Sequence, residues 1–440
     1  MTSLTRFPDL YRYLRSEANP IRLIAGFVTT NLICLSSLAA MSQVKDPWGS
    51  LFRTVMGLQL ILLLTYGVLR TTTSILQERS NRTWDFQRLT PLTSFEITFG
   101  KLLGAPIFAY FLFLVMMPWA VLATSYSTGT PWLALWQAYR LPLSLVFLCL
   151  NLGLLFSAHS LGNRQGRSAI SFVTVAALWT GLPILISVIF GGIHGSNHWL
   201  AKETLSFYGL SVSVQRFATL SSLIFGGWAF AGARWRIGED LLEGRRFWRF
   251  PAFLLFLAWY LFGIEGGAGL FKQPQPRPII TLGYVTFFVY VAAFLWGERT
   301  DYWRRWLRLT SSRMNNTPVW VAGYATLLAV AGLLLLIGPR SRVLVLLPVF
   351  CGRDLLFLQW CRFTRSQRAE MMAFIYLVLA YVLPPMLLAP FKLSALVCLY
   401  SPIPVGGAGG ISLLQNLLPG LLEAGVMAGI TFRRLRQTVT

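Results

Sequence analysis

Charge-poor runs of apolar residues recur along the whole chain, and most of them are long enough to cross a lipid bilayer. A transmembrane helix needs about 20 such residues. A soluble protein could not cover this much apolar surface, because 55% of the 440 residues are hydrophobic and only 12% are charged. We therefore predict an all-α, polytopic membrane protein with about 12 transmembrane helices. The predicted spans are residues 22–43, 52–74, 102–124, 139–160, 169–191, 211–232, 251–270, 279–296, 319–338, 343–361, 371–390 and 410–431.

The basic residues concentrate in every second loop between these spans. The chain has 38 Lys and Arg against 16 Asp and Glu, a formal net charge of +22. Alternation of this kind follows the positive-inside rule, and it predicts an integral plasma membrane protein (bacterial inner membrane) with both termini in the cytoplasm. Anionic lipid headgroups are the expected partners of many arginines. A nucleic-acid-binding protein would carry one continuous basic face, so we expect no nucleic acid partner.

The polar insert at residues 77–101 has the pattern of two short helices separated by a break. Thr83 is a candidate N-cap for the first helix. Pro91 would end that helix, because its ring removes a backbone donor and restricts the residue before it. Thr93 and Glu96 have the spacing of a capping box that starts a second helix, which we expect to continue into the third span. The alternative is an ordinary cytoplasmic loop, since capping boxes are common.

Over its whole length this insert resembles the cytoplasmic coupling segment of ATP-binding-cassette exporter permeases of the type-2 (type V fold) family. Two positions depart from the family pattern, because Arg82 stands where the family usually has glycine and Gln87 where it usually has leucine. The residues that match the pattern are Glu78, Arg79, Thr83, Asp85, Thr90, Pro91, Leu92, Thr93, Glu96, Ile97, Gly100 and Lys101.

The resemblance implies a permease whose transport cycle is driven by a separate ABC ATPase subunit. ATP and magnesium would bind to that subunit, with two copies in the complex, and this chain would itself need no cofactor. The segment 77–101 would transmit closure of the ATPase pair to the membrane helices. The residues that the resemblance implies for ATPase coupling are Glu78, Arg79, Thr83, Trp84, Asp85, Arg88, Leu89, Pro91, Glu96 and Lys101.

The first part of the insert is repeated 220 residues later, since residues 78–90 align without a gap on residues 298–310. Further short matches follow in the same order at offsets close to 200. We therefore predict an intrachain pseudo-dimer of two parallel six-helix repeats, residues 1–237 and 238–440. The coupling residues of the second copy would be Glu298, Arg299 and Arg308.

The second copy is degenerate. After Thr310 it has no proline, and it lacks the glutamate and the Gly-Lys pair that follow Thr90 in the first copy. This loss predicts unequal coupling of the two halves. Residues 6–22 and 233–250 each precede the first span of their half and mix arginines with aromatic residues, so we predict interfacial helices on the cytoplasmic leaflet at both places.

Motifs of catalysis are missing from the sequence. No G-x-x-x-x-G-K-[ST] phosphate loop is present, and the glycine-rich residues 406–410 lack the lysine and hydroxyl that would hold phosphates and magnesium. The five cysteines have no metal-ligand spacing, and His194 and His198 have no third ligand nearby in the sequence. We predict no catalytic residue and no metal site, so the chain is not expected to be an enzyme by itself.

Ionisable residues inside predicted spans are costly and are candidates for a functional role. For Arg353 and Asp354 in the tenth span, a translocation path and a structural ion pair are both open. Neighbouring residues of a helix point about 100° apart, so we expect these two not to pair with each other, and Glu423 is a candidate partner for Arg353. The predicted translocation path comprises Arg353, Asp354, Glu423 and Arg216.

These observations favour an ATP-driven exporter that moves a lipidic or amphipathic substrate outward, because the sequence contains no large outer domain. An ion-coupled secondary transporter is one alternative, since such proteins also use twelve spans and internal repeats. A non-transporting scaffold that recruits an ATPase is another, because the second copy is degenerate. The sequence does not identify the substrate.

Overall fold

The computed structural model describes most of the chain, and helices account for nearly all of the described residues. The fifth predicted span, 169–191, and the second coupling segment, 298–310 apart from Trp303, lie outside the described residues, and so do Glu298, Arg299 and Arg308. The described residues are 8–17, 19–42, 44–128, 131–159, 204–244, 246–267, 277–295, 303, 317–337, 342–363, 369–388 and 413–439.

The chain divides into two compact units. Unit 1 comprises Met1–Leu205 and Ser211–Arg245, and unit 2 comprises Ser206–Leu210 and Arg246–Thr440. The division lies a few residues after the predicted repeat boundary at 237/238, which falls inside a helix. That the two units are copies of one repeat stays a prediction.

Unit 1 consists of nine α-helices in its described part. They are α1 (Pro8–Glu17), α2 (Pro20–Met41), α3 (Pro47–Leu62), α4 (Val68–Ser80), α5 (Thr83–Arg88), α6 (Ser94–Gly104), α7 (Ile107–Thr128), α8 (Pro131–His159) and α9 (Val214–Asp240).

The starts of α2 and α3 follow from local sequence. Asn19 accepts a hydrogen bond from the backbone N–H of Ile21, and Asp46 accepts one from Gly49. A proline follows each of these caps, where its missing N–H costs nothing. Between α3 and α4 the residues Leu63–Gly67 form a π-helical segment, so Pro47–Ser80 is one long helix with a widened turn in its middle.

The core of unit 1 lies among α3, α4, α7, α8 and α9. Val55, Leu154 and Ala233 are among its fully buried apolar side chains. A buried polar pair crosses the same core: the Tyr139 hydroxyl donates to Gln59 Oε1, and Gln59 Nε2 donates to the carbonyl of Phe113 at 3.0 Å. Because buried polar atoms are costly when unpaired, this pair fixes the register of α3, α7 and α8.

Unit 2 is also helical, and its described core draws on the first five of its helices. Its helices are α10 (Arg249–Phe262), α11 (Arg277–Leu295), α12 (Val319–Ile337), α13 (Arg342–Phe363), α14 (Ala369–Leu388) and α15 (Leu413–Val439).

One small sheet accompanies the helices. Its strands are β1 (Thr204–Phe207), β2 (Leu210–Ser213) and β3 (Ile264–Gly267), in the order β2-β1-β3. The two residues between β1 and β2, Tyr208 and Gly209, both have positive φ, at 49° and 79°. A two-residue hairpin turn requires such angles, and glycine adopts them without strain. The sequence analysis did not predict these strands.

Six described helices are long and apolar enough to cross a membrane, which confirms a largely α-helical, polytopic membrane protein. The full set of twelve spans stays a prediction, and α10, with 14 residues, is about 21 Å long and shorter than a bilayer core. The six helices are Pro20–Met41, Pro47–Ser80, Ile107–Ser127, Leu135–His159, Val319–Ile337 and Val343–Phe363.

Of the two segments predicted to be interfacial helices, the N-terminal one contains α1, and its place at the membrane surface stays a prediction. The prediction of a helix at 233–250 is wrong. Instead α9 continues to Asp240, and α10 begins at Arg249. Ala233 and Ile237 are fully buried, and this packing carries α9 past the expected boundary. Leu242 and Gly244 then take positive φ, which ends the helical path.

Candidate functional site

The insert 77–101 is folded against α1, which lies directly on α6. Two glycines of α6 make this close approach possible. A Cβ on Gly100 would stand 2.9 Å from the Cβ of Asp9, and a Cβ on Gly104 would stand 2.6 Å from the Tyr13 ring. Any side chain at these positions would push the two helices apart. Gly100, a member of the family pattern, therefore serves the internal fit of the segment.

Four charged side chains from three helices form what we name the unit 1 ion cluster: Asp9, Arg12, Glu78 and Lys101. Lys101 is 0% exposed, and its Nζ pairs with Glu78 and lies 3.6 Å from Asp9 Oδ2. Arg12 pairs with Glu78 and lies 3.1 Å from Asp9. Two cations face two carboxylates, so the cluster is electrically balanced. A balanced and hydrogen-bonded arrangement is the condition under which buried charges are tolerated.

Two neutral side chains complete this cluster. Gln87 Nε2 donates to Asp9 Oδ1 at 3.1 Å and to Glu78 Oε1 at 3.2 Å, so the residue that departs from the family's leucine has a polar role here. The Tyr13 hydroxyl donates to Glu78 at 3.3 Å. Burial raises the pKa of the Tyr13 phenol, and the carboxylates of Glu78 and Asp9 raise it further, so the hydroxyl remains a neutral donor.

The short helix α5 is held from its other side by the end of α9. Trp84 Nε1 donates to Asp240 Oδ2 at 2.8 Å, and Arg88 lies 3.4 Å from the same carboxylate. Ser94, at the start of α6, donates to Glu243 from its backbone N–H at 2.8 Å and from its hydroxyl at 2.6 Å. Asp240 and Glu243 thus fix both helices of the insert, and sequence reasoning missed them because they lie about 150 residues away.

The turn between α4 and α5 places a left-handed backbone at Arg82, the position where the pattern that the insert resembles has glycine. Arg82 has φ 58°, in the left-handed region that side chains disfavour. The prediction that Thr83 caps α5 is wrong, because Thr83 is the first helical residue and its hydroxyl donates back to the carbonyl of Glu78 at 3.1 Å. The residue preceding α5 is Arg82, which makes no side-chain cap.

For α6, the second helix of the insert, the predicted start is confirmed and the predicted continuation into the third span is not. The capping box is confirmed, since Thr93 Oγ1 accepts from the N–H of Glu96 at 3.3 Å and Glu96 accepts from the N–H of Thr93 at 2.9 Å. Residues 89–93, with Pro91 in this stretch, separate α5 from α6. The expected continuous helix into the third span is wrong, because α6 ends at Gly104 before Pro106, which has no N–H to donate.

The outward surface of the insert, which we name the docking face, is formed by Arg79, Arg82, Asp85, Phe86 and Leu89. All five side chains are exposed, and the two apolar ones strongly so: Phe86 is 70% and Leu89 84% exposed. By contrast Glu78, Trp84 and Lys101, which the resemblance implies as coupling residues, point inward and hold the segment together. Phe86 was missed because the family pattern leaves its position open.

The second end of α1 is anchored by a separate group. Glu17 is buried and pairs with both Arg22 at the start of α2 and Arg70 on α4. Arg22 also donates to the Tyr66 hydroxyl at 2.6 Å, and Tyr66 lies in the π-helical segment. Both ends of α1 therefore contact the long helix Pro47–Ser80, at Glu78 and at Arg70.

In unit 2 the central charges meet in what we name the unit 2 ion cluster: Arg353, Asp354, Glu423, Tyr290 and Tyr381. The expectation that Arg353 and Asp354 do not pair is wrong, because Arg353 Nε lies 2.8 Å from Asp354 Oδ1. The expected partnership with Glu423 is confirmed, with Arg353 Nη1 at 2.7 Å from its carboxylate. The hydroxyls of Tyr290 and Tyr381 donate to Asp354 at 2.7 and 2.5 Å.

The fourth residue of the predicted translocation path does not belong to this cluster. Arg216 lies near the start of α9 in unit 1, where its side chain is exposed. Within the described part of the chain there is no group of three or more His, Cys, Asp or Glu side chains that could hold a metal ion. Unit 1 thus offers an ion cluster and an exposed face, and unit 2, described by itself, offers a second ion cluster.

Comparison of the chain with protein-family models, with curated proteins and with solved structures finds no match in any of the three. The family resemblance therefore stands on the residues of the insert alone, and the function must be argued from the arrangement of its side chains.

Proposed function

We propose that this protein is the transmembrane permease subunit of an ATP-driven ABC exporter, with ATP hydrolysed by a separate subunit that binds the docking face. The substrate would be lipidic or amphipathic and would move outward. Both termini and the insert would lie in the cytoplasm, where the ATPase is. The complex would contain one copy of this chain and two ATPase subunits, since two repeats in one chain would replace a dimer.

The observation that carries the proposal is that the insert is held by buried ion pairs and hydrogen bonds on one side and exposes two apolar side chains of the docking face on the other. Phe86 and Leu89 are the two apolar members of the docking face, whose other members are all charged. Burying a large apolar side chain is worth about 1.5–3 kcal/mol, which a partner protein would gain on covering them. Arg79, Arg82 and Asp85 surround the two residues, and such a charged rim around an apolar centre is the usual anatomy of a protein interface.

The contacts that hold the insert matter because a coupling element must move as one body. The unit 1 ion cluster connects the insert to α1 and α4, and Asp240 and Glu243 connect it to α9. Force applied at Phe86 and Leu89 would therefore reach three membrane-adjacent helices at once. A flexible cytoplasmic loop, the alternative from the sequence, would have neither the buried ion cluster nor these clamps.

The direct test is co-purification of the chain with a phosphate-loop ATPase encoded beside it, followed by replacement of Phe86 and Leu89 with alanine. We expect the double variant to co-purify at least ten-fold less ATPase than the wild type, while the chain itself remains folded. Trp132→Ala is the matched control. Trp132 is also strongly exposed, at 75%, but it lies at the start of α8, beyond the end of α7 that is opposite the insert. Equal recovery from the double variant and the wild type would refute docking at this face.

An ion-coupled secondary transporter remains the second candidate, because the unit 2 ion cluster lies at the middle of its helices. The two mechanisms predict different energy requirements. Transport in vesicles that contain the ATPase should stop when ATP is replaced by a non-hydrolysable analogue, and should persist when the ion gradients are collapsed. The reverse result would favour the secondary transporter.

A further inference from the structure

The two ion clusters differ in their charge balance. In the unit 1 ion cluster two cations face two carboxylates, whereas in the unit 2 ion cluster the single guanidinium of Arg353 faces the carboxylates of Asp354 and Glu423. Tyr290 and Tyr381 contribute hydroxyls and no charge. In the part of the chain that the structure describes, the two carboxylates of the unit 2 ion cluster thus share a single cation.

These charges lie deep in the helices. Arg353 and Asp354 are near the middle of α13, which is one of the candidate membrane spans, and Glu423 is about ten residues inside α15. A net charge at such a depth is expensive, because the hydrocarbon cannot solvate it. Chains therefore retain such a charge where a ligand or a polar path neutralises it.

The two carboxylates are not equivalent. Asp354 is 2% exposed and accepts hydrogen bonds from three donors, so its oxygens already have partners inside the unit. The side chain of Glu423 is 39% exposed, although it pairs with Arg353 through Oε2. Of the two carboxylates, Glu423 is therefore the one that is accessible from outside unit 2.

The surroundings of Glu423 are apolar. On the same helix, Val426 and Ile430 lie one and two turns from Glu423 on the same side, and both are exposed, at 60% and 42%. A divalent metal ion would need several oxygen ligands or a hydration shell, and these side chains supply neither. A carboxylate within an exposed apolar surface instead suits a ligand that joins one positive charge to a hydrophobic body.

We propose that Glu423, supported by Arg353 and Asp354, is the binding site for the positive charge of a hydrophobic organic cation. The inference rests on the proposed function, which it deepens: the exported amphiphile would be cationic, with its hydrophobic part on Val426 and Ile430. Arg353 holds the Glu423 carboxylate in place, and Asp354 holds Arg353.

The test measures equilibrium binding of radiolabelled tetraphenylphosphonium to the purified full-length chain in detergent micelles. Tetraphenylborate, an anion of the same shape, is the control for unspecific partition into the micelle. We expect saturable binding of the cation alone, and at least ten-fold weaker binding in Glu423→Gln, whose amide oxygen can still accept from Arg353. Asp46→Asn is the matched control, because it removes one negative charge in unit 1 and keeps a good helix cap.

If Glu423→Gln does not yield a monodisperse protein, the same comparison is made with Glu423→Asp, which withdraws the charge by one methylene and should weaken binding several-fold. Absence of saturable binding, equal binding of the anion, or unchanged binding in both variants would overturn the site, and a proton on Glu423 would then be the neutralising occupant.

The assay contains no ATPase, so it separates the two proposals. If the chain binds the cation through Glu423 but no ATPase co-purifies with it, the cation site is supported and the exporter function is refuted. If the ATPase co-purifies with the chain but no cation binds, the exporter function is supported and this substrate class is refuted.

Discussion

Replacing Lys101 with methionine should destabilise unit 1 more than any other single loss of a cation in the insert. The substitution keeps the length and the buried volume of the side chain but removes the charge. Asp9 and Glu78 would then share Arg12, whose side chain is 43% exposed. Removing one partner of a buried ion pair costs about 3–5 kcal/mol, because the remaining charge stays buried without compensation.

This free energy corresponds to a large shift in thermal unfolding. For units of about this size, each kcal/mol changes the melting temperature by roughly 2–4 °C, so Lys101→Met should lower it by about 6–20 °C. The assay is unfolding of the purified chain in detergent, followed by tryptophan fluorescence and far-ultraviolet circular dichroism. Arg15→Met is the control, because Arg15 is an exposed cation of α1 and its loss should change stability by less than about 0.5 kcal/mol.

A second substitution tests the reason for the loss. In the double variant Lys101→Met, Glu78→Gln, the carboxylate of Glu78 that lost its partner Lys101 is replaced by a neutral amide. The double variant should therefore be more stable than Lys101→Met alone. Neighbouring residues of one network commonly couple by 0.5–3 kcal/mol, which the melting curves resolve. If Lys101→Met melts within 2 °C of the Arg15→Met control, the reasoning that Lys101 compensates two buried carboxylates is refuted.

Three further predictions follow from the same residues. Arg82→Gly should keep or slightly raise stability, whereas Arg82→Val should lower it by about 1–2 kcal/mol because of its positive φ; equal melting of the two variants would contradict this. Cysteines placed at Asn197 and Gln275 should react with a membrane-impermeant thiol reagent from outside and those at Asn81 and Ser311 should not, and labelling of Asn81 from outside would refute the topology. Mass measurement of the detergent-solubilised complex should give one chain per two ATPase subunits, and two chains per ATPase pair would make each chain one half of a dimer.

The sequence predicted those parts of the fold that depend on nearby residues. The capping box of Thr93 and Glu96 formed as expected, because both of its hydrogen bonds close within one helical turn. The apolar runs likewise predicted α2, α7, α8 and α12, since a run of about 20 apolar residues has few alternatives to a membrane helix. The partnership of Arg353 with Glu423 was predicted because few other charges lie at that depth.

The errors arose where long side chains or distant segments decide the structure. Arg353 and Asp354 point in different directions from the helix axis, but the arginine side chain is long enough to bend back and donate from Nε. Asp9, Asp240 and Glu243 were not recognised because their partners in the insert lie far from them in sequence. The break at Pro106 was missed because the apolar pattern continues through it.

The insert also shows that a family pattern can combine two physical roles. Glu78, Gly100 and Lys101 match the pattern, but they face inward, where they balance charge and let α1 approach α6. Arg79 and Asp85 match it as well, but they face outward beside Phe86 and Leu89. Loss of transport after a change at Glu78 would therefore report on the folding of the segment and not on its contact with an ATPase. Only substitutions on the docking face, where stability should stay unchanged, can separate an exporter subunit from a membrane protein that merely folds like one.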